Sequence, residues 1–542
     1  MKEDARHLRG CEMEEIKKVL VSDPLSNQGL EILGRAKNLR VDLRPGLSPE
    51  ELKNILPEYD GIIIRSETKL KGDIIEAGKR LKVIGRAGIG LDNVDLPAAT
   101  KKGIVVMNTP QENAIAAAEH TIAMILSISR KIPQATASMK AGKWEKKKFM
   151  GVELYNKTLG MIGVGVIGTI VADRARGLKM KVIGYDPYLS KEFAEKKGVD
   201  LVSYDELLSR SDFITIHTPL TDETRNLIDK NTLVKMKDGV ILINCARGGI
   251  IHEKDLYDAI KTGKVAGAAL DVFEKEPATG NPLLELEEVV STPHLGASTG
   301  EAQENVSIAI AQQVADYLTL GEARNAVNIP AVSPDILPFL RPYLRLGEKL
   351  GSFLGQISNY AIDEVLIEYL GEVVEYGTKP ITISVLKGLL TPFVGETVNF
   401  VNAPVMAKER GIRITESTSD KAEDFASLIA LTARSKMEQN YIAGALFGRK
   451  ELRIVKLNDF FIEAIPEGYV LLVNNYDKPG VIGNLGNALG SRNINIATMQ
   501  FGRDRMGGNA ISLLHLDAPL PPGMLGEILR LPNIISVRQI QL

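Results

Sequence analysis

At 542 residues, 44% of them hydrophobic, the chain is longer than one hydrophobic core normally serves and is expected to fold as three or four domains. Its 66 Lys plus Arg against 68 Asp plus Glu leave a net charge of -2, which excludes a general attraction to nucleic acid or to an anionic membrane; anion binding has to be local. The two cysteines, Cys11 and Cys245, are far apart and lack metal-ligand spacing, so neither a disulfide framework nor a metal site is expected, and a reducing, cytoplasmic compartment fits. No apolar run approaches the length of a membrane span.

In chain order, residues 1–16 are charged and aperiodic and read as a disordered extension. From Lys17 short apolar strands alternate with helices: KKVLVSD, NLRVDLR, DGIIIRS, LKVIGRAG and GIVVMNTP, the pattern of a parallel α/β domain over 17–112. The segment 114–128 is apolar almost all round and predicts a helix buried between domains or subunits, with His120 satisfied inside it.

The next stretch, Gly160 to Asp186, reads strand, tight turn, helix, strand, acid. Gly163, Gly165 and Gly168 give G-x-G-x-x-G, and the helix that follows offers free N–H groups to a pyrophosphate. Asp186 closes the second strand, where it accepts from the adenosine ribose and repels a 2′-phosphate, so NAD is expected rather than NADP. Further strands end in polar residues at DFITIHTP, GVILINCARG, VAGAALDV and VVSTPHLG. Ligands bind beyond the carboxyl ends of such strands, and these ends carry Arg247, Glu276 and His294. An imidazole with a carboxylate beside it suits a general base, and an Arg fork suits a substrate carboxylate, so the three are the expected catalytic residues of an alcohol dehydrogenation. Cys245 reads as a small buried sulfur rather than a nucleophile, and His217 as packing at least as much as contact.

The motifs GVGVIG, YDPY, HTPLT, NCARGGII, GAALDVFEKEP and TPHLGAST resemble those of the D-isomer-specific 2-hydroxyacid dehydrogenases, and the resemblance covers nearly everything after Ile16. It implies a Rossmann-type dinucleotide domain over 113–295 and a flavodoxin-like substrate domain made of 17–112 and 296–330. NAD contacts are implied at Gly163, Gly165, Val166, Ile167, Gly168, Asp186, Thr218, Pro219, Cys245, Ala246, Arg247, Asp271, His294 and Gly296. Substrate contacts are implied at Arg65, Arg86, Gly88, Asn108, Lys146 and Arg247. Two departures matter. Val166 stands where the family commonly has Arg or His, and Lys146 where it has an Arg that reaches a neighbouring subunit's substrate, so the charge is kept but not the fork.

The segment 328–342 has four prolines and reads as a linker, with a new domain after it. Resemblance implies an α+β intervening domain over 331–464, whose cationic residues Arg449, Lys450, Arg453 and Lys456 read as a solvated face. Residues 469–542 show β-α-β-β-α-β order and resemble the ACT regulatory domain, with a DKPG turn and effector contacts implied at Asn475, Asp477 and Asn495. The resemblance, with these two added domains, implies NAD-dependent oxidation of 3-phospho-D-glycerate, L-serine as effector, and a homo-oligomer, a tetramer. The alternatives are a hydroxypyruvate or glyoxylate reductase and a non-enzymatic NAD-sensing regulator.

Overall fold

The computed structural model describes residues 15–330, 332–333, 335–422 and 424–542; the expected extension, up to residue 14, lies outside them. Four sheets are described, and each follows from a run of apolar strands with its own period.

The first sheet is wholly parallel. Its strands are β1 (Lys17–Val21), β2 (Leu39–Leu43), β3 (Gly61–Ile64), β4 (Val83–Arg86) and β5 (Val105–Met107), in the flavodoxin-like order β2-β1-β3-β4-β5. β3 is buried along its whole length because helices cover both faces, so its sequence is an unbroken GIII rather than an alternation. One covering helix comes from far along the chain: Gly300–Leu320 returns and places Val306, Ile310, Ala311 and Val314 in the same apolar cluster as Val19, Val83 and Val105.

The second sheet has β6 (Thr158–Ile162), β7 (Lys181–Tyr185), β8 (Asp200–Leu201), β9 (Phe213–Ile216), β10 (Val240–Asn244), β11 (Val265–Leu270) and β12 (Val289–Ser291) in the order β12-β11-β10-β9-β6-β7-β8. All its pairings are parallel, and the order reverses at β6, which pairs β7 on one side and β9 on the other. That reversal opens a crevice at the carboxyl ends. The apolar helix Ala114–Ser129 packs here, with Ala118, Met124 and Ile125 in a cluster with Leu159, Met161 and Val171.

The third sheet contains β13 (Glu364–Gly371), β14 (Arg413–Ser419), β15 (Ser427–Arg434), β16 (Gln439–Phe447), β17 (Glu451–Leu457) and β18 (Phe460–Ala464); it is mixed, β13 pairing parallel with β14 and antiparallel with β15. The fourth, β19 (Tyr469–Tyr476), β20 (Ile496–Arg503), β21 (Asn509–Leu516) and β22 (Ile534–Gln541), is antiparallel in the order β20-β21-β19-β22. These two sheets share an apolar core: the cluster holding Leu350, Phe353 and Ile367 also holds Val470, Leu472, Ile511 and Ile540. No helix among the described residues is long and apolar enough to cross a membrane.

The linker reading of 328–342 needs correction. A helix, Leu337–Ile357, already occupies its last residues, with Pro338 in the first turn and Pro342 inside. Proline costs nothing in a first turn, where the N–H has no partner, and the cost at Pro342 is carried by burial of Leu340, Leu346, Leu350 and Phe353 on one face. Pro334, within that stretch, lies outside the described residues.

Candidate active site

Parallel strands deliver their carboxyl-terminal residues to one edge, and the candidate site is built from that edge on both parallel sheets. On the dinucleotide side, Gly163 turns the chain after β6 with φ of 91°, and a Cβ there would fall 2.6 Å from the His217 carbonyl. Gly168 abuts the Gly163 carbonyl in the same way, at 2.5 Å. The helix Val166–Gly177 begins at Gly165 without a side-chain cap, which leaves its first N–H groups for a pyrophosphate. A Cβ on Gly165 would meet nothing within 4 Å, so the turn faces open space, and Val166 beside it is half exposed. Ile167 is half-buried against the sheet's apolar cluster, which leaves its backbone as the part that can serve a cofactor.

Asp186 at the end of β7 accepts from Val164 N and from Tyr188 N, each at 3.0 Å, which fixes the carboxylate over the glycine turn. Across the crevice, after β9, Thr218 Oγ1 is buried without a hydrogen-bond partner. A buried orphan hydroxyl beside an uncapped helix and an oriented carboxylate is a donor and acceptor set that fits a dinucleotide. Pro219 follows it, exposed.

The expected catalytic residues converge. His294, after β12, has φ of 57° and stands with Nδ1 2.9 Å from Glu276 Oε2, which turns Nε2 outward. Glu276 is held in turn by Phe273 N at 3.2 Å. The Glu276 bond raises the imidazole's pKa from its ordinary value, against the opposing effect of burial. Burial lifts Glu276 itself, but the bond and charge of His294 outweigh it, and its carboxyl lies below the usual range.

Arg247 is delivered by the turn after β10. Asn244, buried, accepts from Ala246 N at 3.0 Å and donates to the Arg247 carbonyl at 2.8 Å, which sets the backbone from which the guanidinium leaves. Gly248 is required: a Cβ there would fall 1.9 Å from the Phe273 carbonyl. Arg86 ends β4, half-buried, with its Nε buried and unpartnered. Burial, then the like charges of Arg247 and Arg65, push its pKa down to about 10 against the carboxylates of Asp92 and Asp23, so it stays charged at neutral pH. Arg65 follows β3, and Asn108 follows β5, buried and donating to the Ile89 carbonyl at 2.7 Å; Gly88 sits under the Arg86 guanidinium.

Two of the expected NAD contacts, Asp271 and Gly296, are placed differently. Asp271 is 1% exposed and sits beneath the His294 loop, where its carboxylate accepts from Thr292 Oγ1 at 2.6 Å, Leu295 N at 2.7 Å and Gly296 N at 2.8 Å. Burial raises its pKa, but these donors and His120, 3.3 Å away, outweigh that and hold it below the ordinary value. Asp271 and the Gly296 N–H therefore shape the loop that carries His294. Cys245 is inert: burial pushes its thiol up to about 12. Lys146 is exposed on a segment whose Lys148 pairs with Glu287, just before β12, and so belongs to the amino ends of the strands, away from the cleft of its own chain. His217 is pushed by burial down to about 4 and stays neutral, its Nε2 3.1 Å from Thr215 Oγ1.

The expected effector residues do not meet within one chain. Asn475 is fully buried and donates to the Tyr476 carbonyl, and Asp477 accepts from Arg503 Nη1 and Gly507 N, both at 3.0 Å. Asn495 donates to Asp517, and it precedes Ile496, which pairs Leu516, whereas Asn475 pairs Ala510 at the other end of β21. In the intervening region Arg453 is bound to Glu451 and Glu463, and Lys456 lies over the rings of Tyr441 and Phe461, while Arg449 and Lys450 border a small cavity beside Phe339 and Tyr376.

Sequence reading missed the residues that hold the cleft in shape: Asn244, Thr292, Asp92, Asn93 and Asp23. They are ordinary polar residues at strand ends and in the loop after β4, and nothing local sets them apart.

Residues 122–296 match the family model of the D-isomer specific 2-hydroxyacid dehydrogenase NAD binding domain, and residues 339–458 that of the D-3-phosphoglycerate dehydrogenase intervening domain. Among solved structures, the fold is similar to D-lactate dehydrogenase from Aquifex aeolicus complexed with NAD and lactic acid (30% identity, TM-score 0.51, 58% of this chain and 100% of that one). It is also similar to a glyoxylate reductase from Paecilomyes thermophila (30% identity, TM-score 0.55, 58% and 99%). The likeness to curated D-3-phosphoglycerate dehydrogenases extends further. That of Synechocystis is 47% identical over 526 residues (97% of this chain, 95% of the relative), that of Archaeoglobus fulgidus 46% over 528 (97% and 100%), and that of Bacillus subtilis 41% over 525 (97% and 99%). The chain belongs to the D-3-phosphoglycerate dehydrogenase family.

Proposed function

We propose that this protein oxidises 3-phospho-D-glycerate to 3-phosphohydroxypyruvate with NAD, the entry step of L-serine synthesis, in the cytoplasm. The observation that carries the reading is the convergence of Arg65, Arg86 and Arg247 on a cleft that also holds the Glu276–His294 pair. Three guanidiniums suit a substrate anionic at both ends, which favours a phosphorylated 2-hydroxy acid over glyoxylate or unphosphorylated hydroxypyruvate. When bound, NAD supplies the hydride acceptor; Gly163, Gly165, Gly168, the helix N–H groups, Asp186 and Thr218 are the groups that would hold it, and Asp186 selects against a 2′-phosphate.

The chain's own residues do the rest. Arg247 grips the substrate carboxylate and polarises the C2 oxygen. His294 Nε2 takes the proton of the C2 hydroxyl, and Glu276 keeps Nδ1 protonated and stabilises the imidazolium that results. Arg86 and Arg65 bind the phosphate. The control is best read as L-serine bound where two copies of the fourth sheet pair, Asn475 and Asp477 from one copy and Asn495 from the other, in a homo-oligomer, a tetramer. Exposed Trp144, Met150 and Tyr155 near Lys146 offer a second face for assembly.

NADH formation from phosphoglycerate against other 2-hydroxy acids, with NAD and with NADP, and with and without serine, tests the reading. Turnover of glyoxylate or hydroxypyruvate in preference to the phosphorylated pair would replace it.

A further inference from the structure

The loop that follows β4 touches both parallel sheets, and two adjacent residues in it make the contacts. Asp92 Oδ2 accepts from Arg247 Nε at 3.0 Å, while Arg247 Nη1 donates to its own neighbour's carbonyl, Ala246 O, at 2.6 Å. The guanidinium thus has two nitrogens engaged, and Nη2 lies directly over Gly90, where a Cβ would fall 1.9 Å from it. The plane of the fork is therefore set jointly, by the loop through Asp92 and by the turn from which Arg247 comes through the Ala246 carbonyl. Asn93, the next residue, donates from Nδ2 to the carbonyls of Arg65 and Thr68, each at 2.6 Å, and its own carbonyl accepts from Leu70 N at 2.8 Å. The same Arg65 loop is gripped from its other side by Asp23, 2% exposed, which accepts from the N–H groups of Arg65 and Thr68 and from Thr68 Oγ1.

We infer that Asp92 and Asn93 are positioning residues that act as one strap, Asp92 fixing which edge of Arg247 meets the substrate carboxylate and Asn93 fixing the loop that carries Arg65 to the phosphate. The inference rests on the reading of the cleft as a site for a substrate anionic at both ends. Arg247 comes from the second sheet and Arg65 from the first, so a two-residue link registers the two anion sites against each other across the cleft. An aspartate here has a cost, since its charge opposes an incoming carboxylate. Its presence beside three arginines is accounted for by orientation: an acceptor on Nε leaves Nη2 for the substrate.

A purely electrostatic role for Asp92 predicts something different, and substitution separates the two. Asp92→Asn keeps an oxygen for Nε but removes the charge; Asp92→Ala removes both. With the full-length enzyme, kcat of Asp92→Ala should fall about tenfold or more with a smaller change in KM, and Asp92→Asn should recover to within about threefold of wild type. Asn93→Ala should lower the preference for phosphoglycerate over glycerate by about tenfold, because the phosphate site loses register. NAD titration and thermal melting of each variant distinguish a misplaced fork from a misfolded chain. Equal behaviour of the Asn and Ala variants at position 92, with KM falling in both, would overturn the strap in favour of a counter-ion. If the wild type does not turn over phosphoglycerate, the substrate reading fails, and the position-92 comparison is made on whichever 2-hydroxy acid it does oxidise.

Discussion

The dehydrogenase cleft and the four-stranded sheet at the end of the chain were both expected to gather ligand-binding residues, and only the first does so within one chain. The difference lies in strand direction. In the two parallel sheets every strand ends on the same edge, so Arg65, Arg86, Asp186, Arg247, Glu276 and His294, spread over most of the first 300 residues, arrive at one cleft. In the fourth sheet β19 and β20 are joined by the crossover helix Val481–Gly490, which brings the chain back to the end from which it set out. Asn475 lies near the end of β19 and Asn495 just before β20, so they sit at opposite edges, about 20 Å apart at the rise of a strand. A site using both needs a second copy, whereas the residues expected at the catalytic cleft, Lys146 apart, come together within one chain.

The sharpest way to break this contrast is at the cleft. His294→Ala should cost about 10²–10⁴-fold in turnover, the ordinary worth of a positioned base, while dinucleotide affinity measured by titration stays close to wild type. Activity within a few-fold of wild type would remove the base from the mechanism. Next in size is cofactor choice. Asp186→Ala together with Pro187→Arg should lower the preference for NAD over NADP by at least about tenfold, or ~1.4 kcal/mol. The ribose acceptor and the repulsion of a 2′-phosphate go together, although Val164 N also loses its partner. Rates with both cofactors decide it.

Glu276→Gln is subtler and is read from a pH profile. Oxidation needs neutral His294, and Glu276 raises the imidazole's pKa, so wild-type activity falls as pH drops through that raised value. The amide removes the charge that raises it, so the acid limb of kcat/KM should move to lower pH; an unmoved limb would mean that Glu276 does not govern His294. The smallest effect tests the other half of the comparison. Asn475→Ala and Asn495→Ala should each lose serine binding by calorimetry, yet a mixture re-assembled from the two should regain some, because one kind of mixed pair restores one intact site. A mixture that binds no serine would return the site to a single chain, or reduce the fourth sheet to an assembly device.

The alternation of apolar strands and helices, the glycine turn ending in Asp186, and the β-α-β-β-α-β order at the end were legible because each is a local periodicity with its own turn residues. The convergence of Arg247, Glu276 and His294 was legible for a related reason: in parallel sheets a strand end is an address, and sequence marks strand ends. The helix at Leu337–Ile357 was read partly as linker because prolines were taken as breaks, while its long buried face outweighs them.

The sequence by itself determined the sheets, the glycine turn after β6 and which side chains meet at the cleft, since apolar period, glycine placement and side-chain type are properties of short stretches. Only the tertiary structure decided which polar residues act as supports. Asp271 lies under the His294 loop, Asp92 and Asn93 tie Arg247 to Arg65, and one apolar core runs through the third and fourth sheets. Those roles depend on what a side chain meets across tens or hundreds of residues. Burial turns an unremarkable aspartate into a scaffold by leaving it no partner but the backbone and side chains brought against it.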